Sequence, residues 1–484
     1  PTLTDDLWGP RVGRLLATLA PDVRASLAVG AVIGEVRPDV WAHACSLLDL
    51  VPADDALAAL SRLGAVALEG GARESVWRTV HPGVRTALLG TGSLAAIHGA
   101  VADAFAATGV APARRGRHLL GAGRNSEAFD EFLSAAEIAA RREDLGRART
   151  YADRAEAAAS HLPPSSRRDV RLLLLRARMG VTERRPADAL ALALEAVDRA
   201  EAAGLRRLAS EAAQHAGHSA HYLADLDASA RYLVRAERDA RAVGDLVLAC
   251  EIAQDLAGVE HSRGQLDASE AALQRAAADA ENGGSRLSFK SVQLQLVCQA
   301  LGARGQFTEV IEALTRGLDD PEVSYSPVRR AHTLHTLGVH QFQAGALAAS
   351  RRAFEEAAHL YARFGHPDVQ YAEVNLAMLL LEAGQADEAE PVLERAEVLL
   401  RGTDNLLLLI PILARRLELV ALRHDQEAFA IRVAELHELL DRTSGAGRDI
   451  LDALDRAHET MRNAGLREAD ALGSLIAAQR DARG

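Results

Sequence analysis

The sequence predicts an all-α protein built from helical hairpins that recur with a solenoid-like period, preceded by a small domain with a short β-hairpin. Three observations lead to this fold class. Hydrophobic residues make up 49% of the 484 residues but aromatic residues only 4%, so the cores must consist of small aliphatic side chains, which suit close helix packing. A spaced pattern of turn, small and bulky residues recurs along most of the chain. The segment 1–110 lacks that period and includes two short β-prone runs.

The N-terminal domain, residues 1–110, predicts four helices and then a hairpin. The helices cover the residues up to Leu19, then 21–35, 38–48 and 53–63. The predicted strands are 65–68 and 75–80, separated by the turn signal at 70–71, and a further helix covers 94–109. Helices followed by a two-stranded wing indicate a winged-helix domain. Its eight Arg, no Lys and eleven Asp and Glu give it a negative charge, so we expect no direct binding of nucleic acid.

Internal repetition dominates residues 111–444. A turn residue is followed by a small residue five positions later, a bulky apolar residue nine later and a small residue about twelve later, as in Gly345 with Ser350, Phe354 and Ala357. From Arg184 onward the turns fall at residues 184, 224, 264, 305, 345, 384 and 424, and the copies at 184, 224 and 424 match the pattern more weakly. The resulting period of about 40 residues is typical of solenoids. Each unit accommodates two helices of about 15 to 17 residues and two short turns.

This pattern resembles the tetratricopeptide repeat, whose usual unit of about 34 residues is shorter. Small residues shortly before the turn, such as Gly258 and Gly338, are expected to let the two helices of a hairpin approach closely. The resemblance implies a right-handed superhelix whose concave wall is lined by the first helix of each pair. We therefore predict repeats over 111–444 and capping helices over 445–484.

Charge and cysteine content restrict the classes of function. The net charge of −12 argues against a nucleic-acid-binding surface over the whole chain, because phosphate binding needs a basic face. The three cysteines, Cys45, Cys250 and Cys298, are far apart in apolar runs and are expected to be reduced thiols. With no apolar run of membrane-spanning length and no signal peptide, we expect a cytoplasmic protein without a membrane partner. Because the sequence begins with Pro1, we also expect it to be part of a longer protein.

Candidate ligand-binding residues occur at first-helix positions that normally face the concave wall. Neutral donors and acceptors with a few aromatic faces suit an uncharged polar molecule or a peptide; an ordinary solvated surface is the alternative. Asn375 is also placed like the asparagine with which tetratricopeptide proteins often clamp a peptide, although only one repeat has it. The candidates are His218, His221, Tyr222, Gln254, His261, Gln295, Gln299, His332, His335, Phe342, Tyr371 and Asn375.

Metal and catalytic sites are not expected. His215, His218 and His221 lie three residues apart, but the 3.6-residue helical turn spreads them over about 120° or more, and no partner at ligand spacing stands beside them. No catalytic combination of residues stands out among helices this rich in charge.

The order of segments resembles that of signal-transducing ATPases of the STAND class. The resemblance is carried by PTLTDDLWGPRVGRLLATLAPDVRASLAVGAVIGE at the start, TVHPGVRTALL at 79–89, LAAIHGAVADAFAATG at 94–109 and the repeats that follow. The large ATP-binding LuxR-type transcriptional regulators are the most similar members. The resemblance implies an upstream nucleotide-binding domain, a winged helix and a helical-repeat sensor. The sequence itself has no phosphate-binding Gly-x4-Gly-Lys-Ser/Thr loop, because its one lysine, Lys290, follows Phe289.

The same resemblance gives His81 a nucleotide-sensing role. In STAND proteins a histidine after the wing, preceded by an apolar residue, contacts the β-phosphate of ADP, and Val80-His81 stands at that place. Pro82 replaces the acidic residue that follows in the family. The alternative is that His81 caps a helix beginning at Pro82.

The sequence therefore predicts a non-enzymatic effector-sensing and autoinhibitory region of a STAND-type transcriptional regulator. A small polar molecule or a peptide would bind the groove and control an ATP-dependent switch, with no cofactor in this chain itself and ATP or ADP bound by the parent protein. The alternative is a scaffold of a STAND signalling protein, whose groove binds a protein partner.

Overall fold

The structure is a computed structural model. It describes residues 8–69, 76–80, 82–89, 94–141, 144–183, 185–284, 286–302, 304–321, 324, 327–364, 366, 368–423, 425–440, 443, 448–465 and 469–481. Over this part the chain is all-α apart from one two-stranded sheet. It divides into two compact units, Pro1–Pro164 and Ser165–Gly484. The predicted boundaries at 110/111 and 444/445 concern a change of repeat pattern and stay predictions.

The first unit contains nine helices and the sheet among its described residues. The elements are α1 (Trp8–Thr18), α2 (Pro21–Ile33), α3 (Pro38–Ser46), α4 (Asp54–Arg62), β1 (Val66–Glu69), β2 (Val76–Thr79), α5 (Pro82–Leu89), α6 (Leu94–Ala107), α7 (Pro112–Gly121), α8 (Asn125–Arg141) and α9 (Leu145–Ala159). Strands β1 and β2 pair antiparallel, with Val66 opposite Thr79. Up to α6 this element order matches the prediction, apart from α5, which the sequence analysis gave only as the alternative helix beginning at Pro82. The predicted turn at 70–71 lies outside the described residues, and the winged-helix assignment stays a prediction.

Two tryptophans organise the core of the first unit. The rings of Trp41 and Trp77 meet edge to face with centroids 5.4 Å apart, a favourable aromatic geometry, and both side chains are buried. The Trp41 indole N–H donates to the Ser26 carbonyl at 2.8 Å, so its polar atom is satisfied. A Cβ on Gly30 would lie 2.1 Å from the Trp77 ring. Glycine is therefore required where β2 packs on α2.

Among its described residues, the second unit has seven helical pairs followed by two further helices. Its elements are α10 (Ser166–Thr182), α11 (Pro186–Ala202), α12 (Arg206–Tyr222), α13 (Leu226–Ala242), α14 (Leu246–Ser262), α15 (Leu266–Asn282), α16 (Arg286–Gly302), α17 (Phe307–Asp319), α18 (Pro327–Gln343), α19 (Leu347–Arg363), α20 (Val369–Glu382), α21 (Ala386–Arg401), α22 (Leu406–Leu422), α23 (Gln426–Leu440), α24 (Arg448–Asn463) and α25 (Ala469–Asp481). We call α10, α12, α14, α16, α18, α20 and α22 the first helices and their partners the second helices.

The predicted turns lie between the two helices of a pair wherever the structure describes them. Each adopts the left-handed backbone conformation, with φ of 76° at Gly345 for example, and glycine fits this conformation without strain. Ala224 is the exception, because a non-glycine residue stands there at φ 58°. Its side chain is fully buried in the cluster formed mainly by α20 to α25. The predicted turns at 184 and 424 lie outside the described residues.

Helix α22 is the most deeply buried of the first helices. Fourteen of its residues are buried, including Arg415 and Glu418, which form an ion pair at 2.6 Å. The helix packs against α20, α21, α23 and α24 and also contacts α12, which lies five pairs earlier in the chain. Ala224 and Leu226, which follow α12, belong to the same hydrophobic cluster. The second pair is thus packed directly against the seventh.

Candidate functional site

All twelve predicted ligand-binding residues lie on first helices. Successive first helices contact one another from α10 to α16 and from α18 to α22, which brings side chains of neighbouring repeats onto a common surface. His261, Gln295 and His332 are exposed there, and the other nine are partly buried. The residues lie on α12 (His218, His221, Tyr222), α14 (Gln254, His261), α16 (Gln295, Gln299), α18 (His332, His335, Phe342) and α20 (Tyr371, Asn375).

The first polar cluster connects α12 to α14. His218 Nε2 lies 2.8 Å from Asp255 Oδ2, and the Gln214 side-chain amide donates to the same oxygen at 2.7 Å. Burial alone would lower the pKa of His218, but the Asp255 carboxylate outweighs it and the pKa is raised. Burial would raise the pKa of Asp255, yet its bonds to His218 and Gln214 hold that pKa below the usual value. The pair therefore favours a charged imidazolium and an ionised carboxylate.

His215 lies one turn before His218 but has the opposite electrostatic environment. Burial lowers the pKa of His215 to about 3, and the positive charge of Arg178 contributes to the shift. The His215 and His218 rings meet edge to face at 6.2 Å. His215 is accordingly neutral at physiological pH. Two histidines one helical turn apart thus have pKa values shifted in opposite directions, because Asp255 bonds to only one of them.

The second polar cluster lies between α18 and the start of α20. His332 Nε2 is 2.9 Å from Asp368 Oδ2, and His366 Nδ1 is 3.6 Å from the same oxygen. The Tyr361 ring stacks on His366 with centroids 5.3 Å apart and meets His332 edge to face. Burial would raise the pKa of Asp368, but its bond to His332 and the nearby histidines lower it. The Asp368 carboxylate therefore lies beside two imidazole rings, and the Tyr361 ring packs against both of them.

His335 connects α18 to α20 beside this cluster. Its Nε2 lies 2.7 Å from Nδ2 of Asn375, so the amide N–H donates to a neutral ring. Burial lowers the pKa of His335 to about 4, while a bond to the Tyr371 backbone partly opposes that effect. The structure thus brings His335, Tyr371 and Asn375 together, and their role in binding a ligand stays a prediction. Asn375 is partly used within the protein rather than left wholly open for a peptide.

The end of α12 approaches the second cluster. Burial lowers the pKa of His221 to about 4, with Asp368 opposing the shift, and burial together with Asp368 raises the pKa of Tyr222. His221 and Tyr222 therefore lie within electrostatic range of a carboxylate that stands four pairs later in the chain. Nδ1 of His221 is buried and has no hydrogen-bond partner among the described residues.

Several predicted residues stand apart from these clusters. The Gln254 amide turns back to the Cys250 carbonyl of its own helix at 3.3 Å. Gln299 donates to the Leu266 carbonyl of α15 at 3.2 Å, which makes it an inter-repeat contact. The Arg456 guanidinium of α24 lies 6.0 Å above the Phe342 ring. His261 and Gln295 are exposed side chains on α14 and α16.

Four residues that sequence reasoning missed complete the clusters: Asp255, Tyr361, His366 and Asp368. Asp255 could have been found as the residue following Gln254 on the same predicted face. His366 and Asp368 lie in the α19–α20 connection, which is longer than the three-residue connections before α12 and α14. A longer connection that contains a histidine and an aspartate was the sequence signal that could have identified these two residues. Tyr361 lies on a second helix, and no sequence signal pointed to it.

Two further expectations concern other parts of the chain. His81, for which we expected nucleotide sensing, lies outside the described residues. Within those residues no single helix is long and apolar enough to cross a membrane. One pair of consecutive helices, Pro82–Leu89 and Leu94–Ala107, meets the length and composition criteria only jointly and is bent by 108°.

Comparisons with known proteins gave structural matches only. No protein-family model matches the sequence, and no curated protein matches it. A STAND protein with a tetratricopeptide repeat sensor from Pyrococcus horikoshii is similar in structure, with a TM-score of 0.55 and 12% identity. The match covers 90% of this chain and 65% of that one, so the chain spans less than two thirds of that protein's length.

Two further solved structures are also similar. The Rap protein complexed with competence and sporulation factor matches with a TM-score of 0.48 and 14% identity, over 73% of this chain and 99% of that one. The apo quorum sensor NprR from B. thuringiensis matches with a TM-score of 0.43 and 12% identity, over 73% and 99%. At such identities the comparisons show the fold alone, and the chain has a tetratricopeptide-like fold.

Proposed function

We propose that this chain is the effector-sensing region of a STAND-type transcriptional regulator and has no catalytic role of its own. A small polar molecule or a peptide would bind the surface where α12, α18 and α20 meet. Binding would alter the packing of the helical pairs and thereby control an ATP-dependent switch in a nucleotide-binding domain of the same protein.

The observation that carries the proposal is the convergence of neutral polar groups from distant repeats. His221 and His335 are uncharged because burial lowers the pKa of each to about 4, so neither imidazole adds a positive charge to this surface. The buried Nδ1 of His221 has no partner among the described residues, and a buried polar atom is stabilised when a ligand bonds to it. An uncharged polar ligand fits this surface better than a phosphate.

Fold and segment order support the STAND part of the proposal. The order of segments in the sequence resembles that class, and the P. horikoshii protein shares the fold over most of this chain. A switch between two states at 1:99 and 99:1 needs a preference of about 5.5 kcal/mol for one state. The end of α12 and α20 belong to different helical pairs. A ligand that contacts both would therefore bind with different affinity to two arrangements in which these pairs are packed differently.

The test is ligand-dependent stabilisation of the 484-residue protein. A library of uncharged polar metabolites and short peptides is screened by thermal unfolding, where a ligand at about 100 times its Kd adds about 2.7 kcal/mol. Hits are titrated by calorimetry against wild type, His221→Ala and Asn375→Ala. Each substitution is expected to weaken binding at least tenfold. Gln274→Ala, on second helix α15, is the control and should bind like wild type.

Two results would contradict the sensor proposal. One is a hit that binds the His221→Ala and Asn375→Ala variants as tightly as wild type. The other is that no compound and no peptide in the library stabilises the protein.

A protein-interaction scaffold is the second candidate function. It is favoured by Val398 on α21 and Ile431 on the neighbouring α23, apolar side chains that are 69% and 63% exposed. Exposed apolar side chains on neighbouring helices are a feature of protein interfaces. A scaffold would show no stabilisation by metabolites, and Val398→Asp with Ile431→Asp would abolish binding of a purified partner while leaving the fold intact.

A further inference from the structure

Three side chains between α18 and α20 place potential metal-ligating atoms close together. One nitrogen of His332, one of His366 and one carboxylate oxygen of Asp368 all lie within 4.8 Å of one another. His332 comes from the first two turns of α18, whereas His366 and Asp368 come from the connection before α20. The arrangement therefore joins two successive repeats. It is distinct from the α12 histidines, for which the sequence argued against a metal site.

The donor set matches a class of metal ion. Imidazole nitrogen together with a carboxylate oxygen suits Zn²⁺ and neighbouring transition metals, whereas Mg²⁺ and Ca²⁺ prefer oxygen ligands alone. A tetrahedral zinc site with bonds of about 2.0–2.2 Å separates its ligand atoms by roughly 3.4 Å. The observed separations of 2.9 Å from Asp368 to His332 and 3.6 Å from Asp368 to His366 lie on either side of that value.

The Asp368 side chain faces the two histidines and does not cap α20. It occupies the N-cap position of α20, where an aspartate side chain ordinarily accepts a bond from the helix backbone. No such cap bond is made by Asp368. The equivalent Asp225 and Asp245, before α13 and α14, do accept bonds of this kind. The Asp368 carboxylate instead faces His332 and His366.

The surroundings suit a bound ion with one open coordination position. Tyr361 is buried and packs on both histidine rings, which holds the imidazoles in place. The side chain of His332 is 46% exposed and that of Asp368 is 18% exposed, so an ion can enter from solvent. Binding would replace the His332–Asp368 bond and the long bond of 3.3 Å from the Asp368 backbone N–H to His366 Nδ1.

We propose that His332, His366 and Asp368 bind a divalent transition-metal ion, of which Zn²⁺ is the probe, through three protein ligands and one position left to water. The bound ion would fasten the start of α20 to α18. This inference goes beyond the proposed sensor function and does not depend on it, because its test involves no effector.

The test is a titration of the 484-residue protein, freed of any affinity tag, with ZnCl₂ by calorimetry. We expect one high-affinity equivalent per chain in wild type and a rise in melting temperature with Zn²⁺. His332→Ala, His366→Ala and Asp368→Asn should each lose at least tenfold in affinity. His359→Ala is the matched control, because His359 is an exposed histidine on α19 outside the group, and it should bind like wild type.

Co²⁺ provides a second measurement that is independent of folding stability. Its visible absorption reports nitrogen and oxygen ligands directly, and the spectrum should change in His366→Ala but not in His359→Ala. Circular dichroism of each variant without metal verifies the fold. The proposal is overturned if wild type takes up no stoichiometric Zn²⁺, if the ligand variants bind as wild type does, or if Mg²⁺ binds as tightly as Zn²⁺.

Discussion

At the scale of single residues, the close approach within a helical pair depends on a small residue seven positions before the turn. A Cβ on Gly338 would lie 2.7 Å from the Phe354 ring across the pair, and a Cβ on Gly217 would lie 2.7 Å from Leu233. Gly258, which the sequence pattern assigned to this role, has nothing within 4 Å of such a Cβ. The contact position in that pair is the buried Ala257. The assignment of Gly258 was wrong by one position.

This difference predicts opposite effects for two identical substitutions. Gly338→Ala should lower the free energy of unfolding by about 1–3 kcal/mol, because the added methyl overpacks against Phe354. Gly258→Ala should raise it by about 0.5–1 kcal/mol, because alanine is the better helix former in open space. Urea unfolding measures both. A stabilising Gly338→Ala would show that the pair is less closely packed, and Phe354→Leu should partly rescue the variant.

The contrasting histidines of α12 give a prediction on pH. The charged groups that face them are Asp255 and Glu251 of α14 and Arg178 of α10. In an NMR titration, His218 should titrate above its ordinary value of 6.5, and His215 should show no titration above pH 5. Asp255→Asn should move the His218 midpoint downward. Equal midpoints for the two histidines would refute the assigned partners.

The same shift has a definite sign in stability. The folded-state pKa of His218 is raised, so the stabilisation from its pair with Asp255 is fully present below the unfolded value of about 6.5 and is lost as the pH rises through the folded pKa. The lowered pKa of Asp255 keeps its carboxylate ionised at mildly acidic pH. The difference in unfolding free energy between wild type and Asp255→Asn should therefore be larger at pH 6 than at pH 9.

At the scale of elements, a serine five residues after the turn fastens the two helices of three pairs. Ser229, Ser269 and Ser350 are buried, and each hydroxyl donates at 2.7–2.8 Å to the carbonyl of the residue twelve positions earlier. The sixth pair has alanine at this position, Ala389, and the fourth has valine, Val310. The backbone geometry therefore tolerates a side chain without the hydroxyl.

Replacement of these serines isolates the contribution of one hydrogen bond per pair. Ser229→Ala, Ser269→Ala and Ser350→Ala should each lower the free energy of unfolding by about 1 kcal/mol, measured by chemical denaturation. Exposed Ser474→Ala on α25, whose hydroxyl bonds within its own helix, is the control and should change it little. A neutral effect at all three buried sites would mean that the hydroxyls merely fill space.

The helices were predictable from sequence because each pair repeats the same local signals. Glycine at a left-handed turn, small residues at the contact and helices of nearly equal length follow from chain geometry alone, and the described turns confirm them. The turn at Ala224 has the expected spacing but is not a glycine like the other described turns of this series. Its methyl group is buried in the cluster around α22. Contacts between distant pairs leave no periodic signal, so this packing could not be predicted.

At the scale of the whole second unit, the candidate site was only partly predictable for the same reason. The repeat register correctly placed His335, Tyr371 and Asn375 on neighbouring first helices. It could not show that His221 and Tyr222 approach Asp368, because that meeting depends on how several pairs stack. His366 and Asp368 lie in a connection, where no repeat position applies. The repeat register therefore predicts contacts between neighbouring pairs. Contacts between distant pairs become visible only in the folded unit.

The contact of the second pair with α22 gives the final prediction. Leu226 is buried in the cluster around α22, whereas Leu233, two turns further along α13, is buried in the cluster that extends from α10 to α16. Either leucine replaced by alanine should lower the free energy of unfolding by about 2–5 kcal/mol. Amide hydrogen exchange separates the two variants, since it reports local opening.

Leu226→Ala should speed exchange both at the end of α12 and in α22, two segments that are far apart in sequence. Leu233→Ala should speed exchange in α12 to α14 and leave α22 unchanged. If Leu226→Ala acted only locally, the second pair would not be held by the seventh in solution. A concerted effect would instead mean that a ligand moving the α12 end also loosens α22, so that an event at the polar surface reaches the C-terminal helices packed on it.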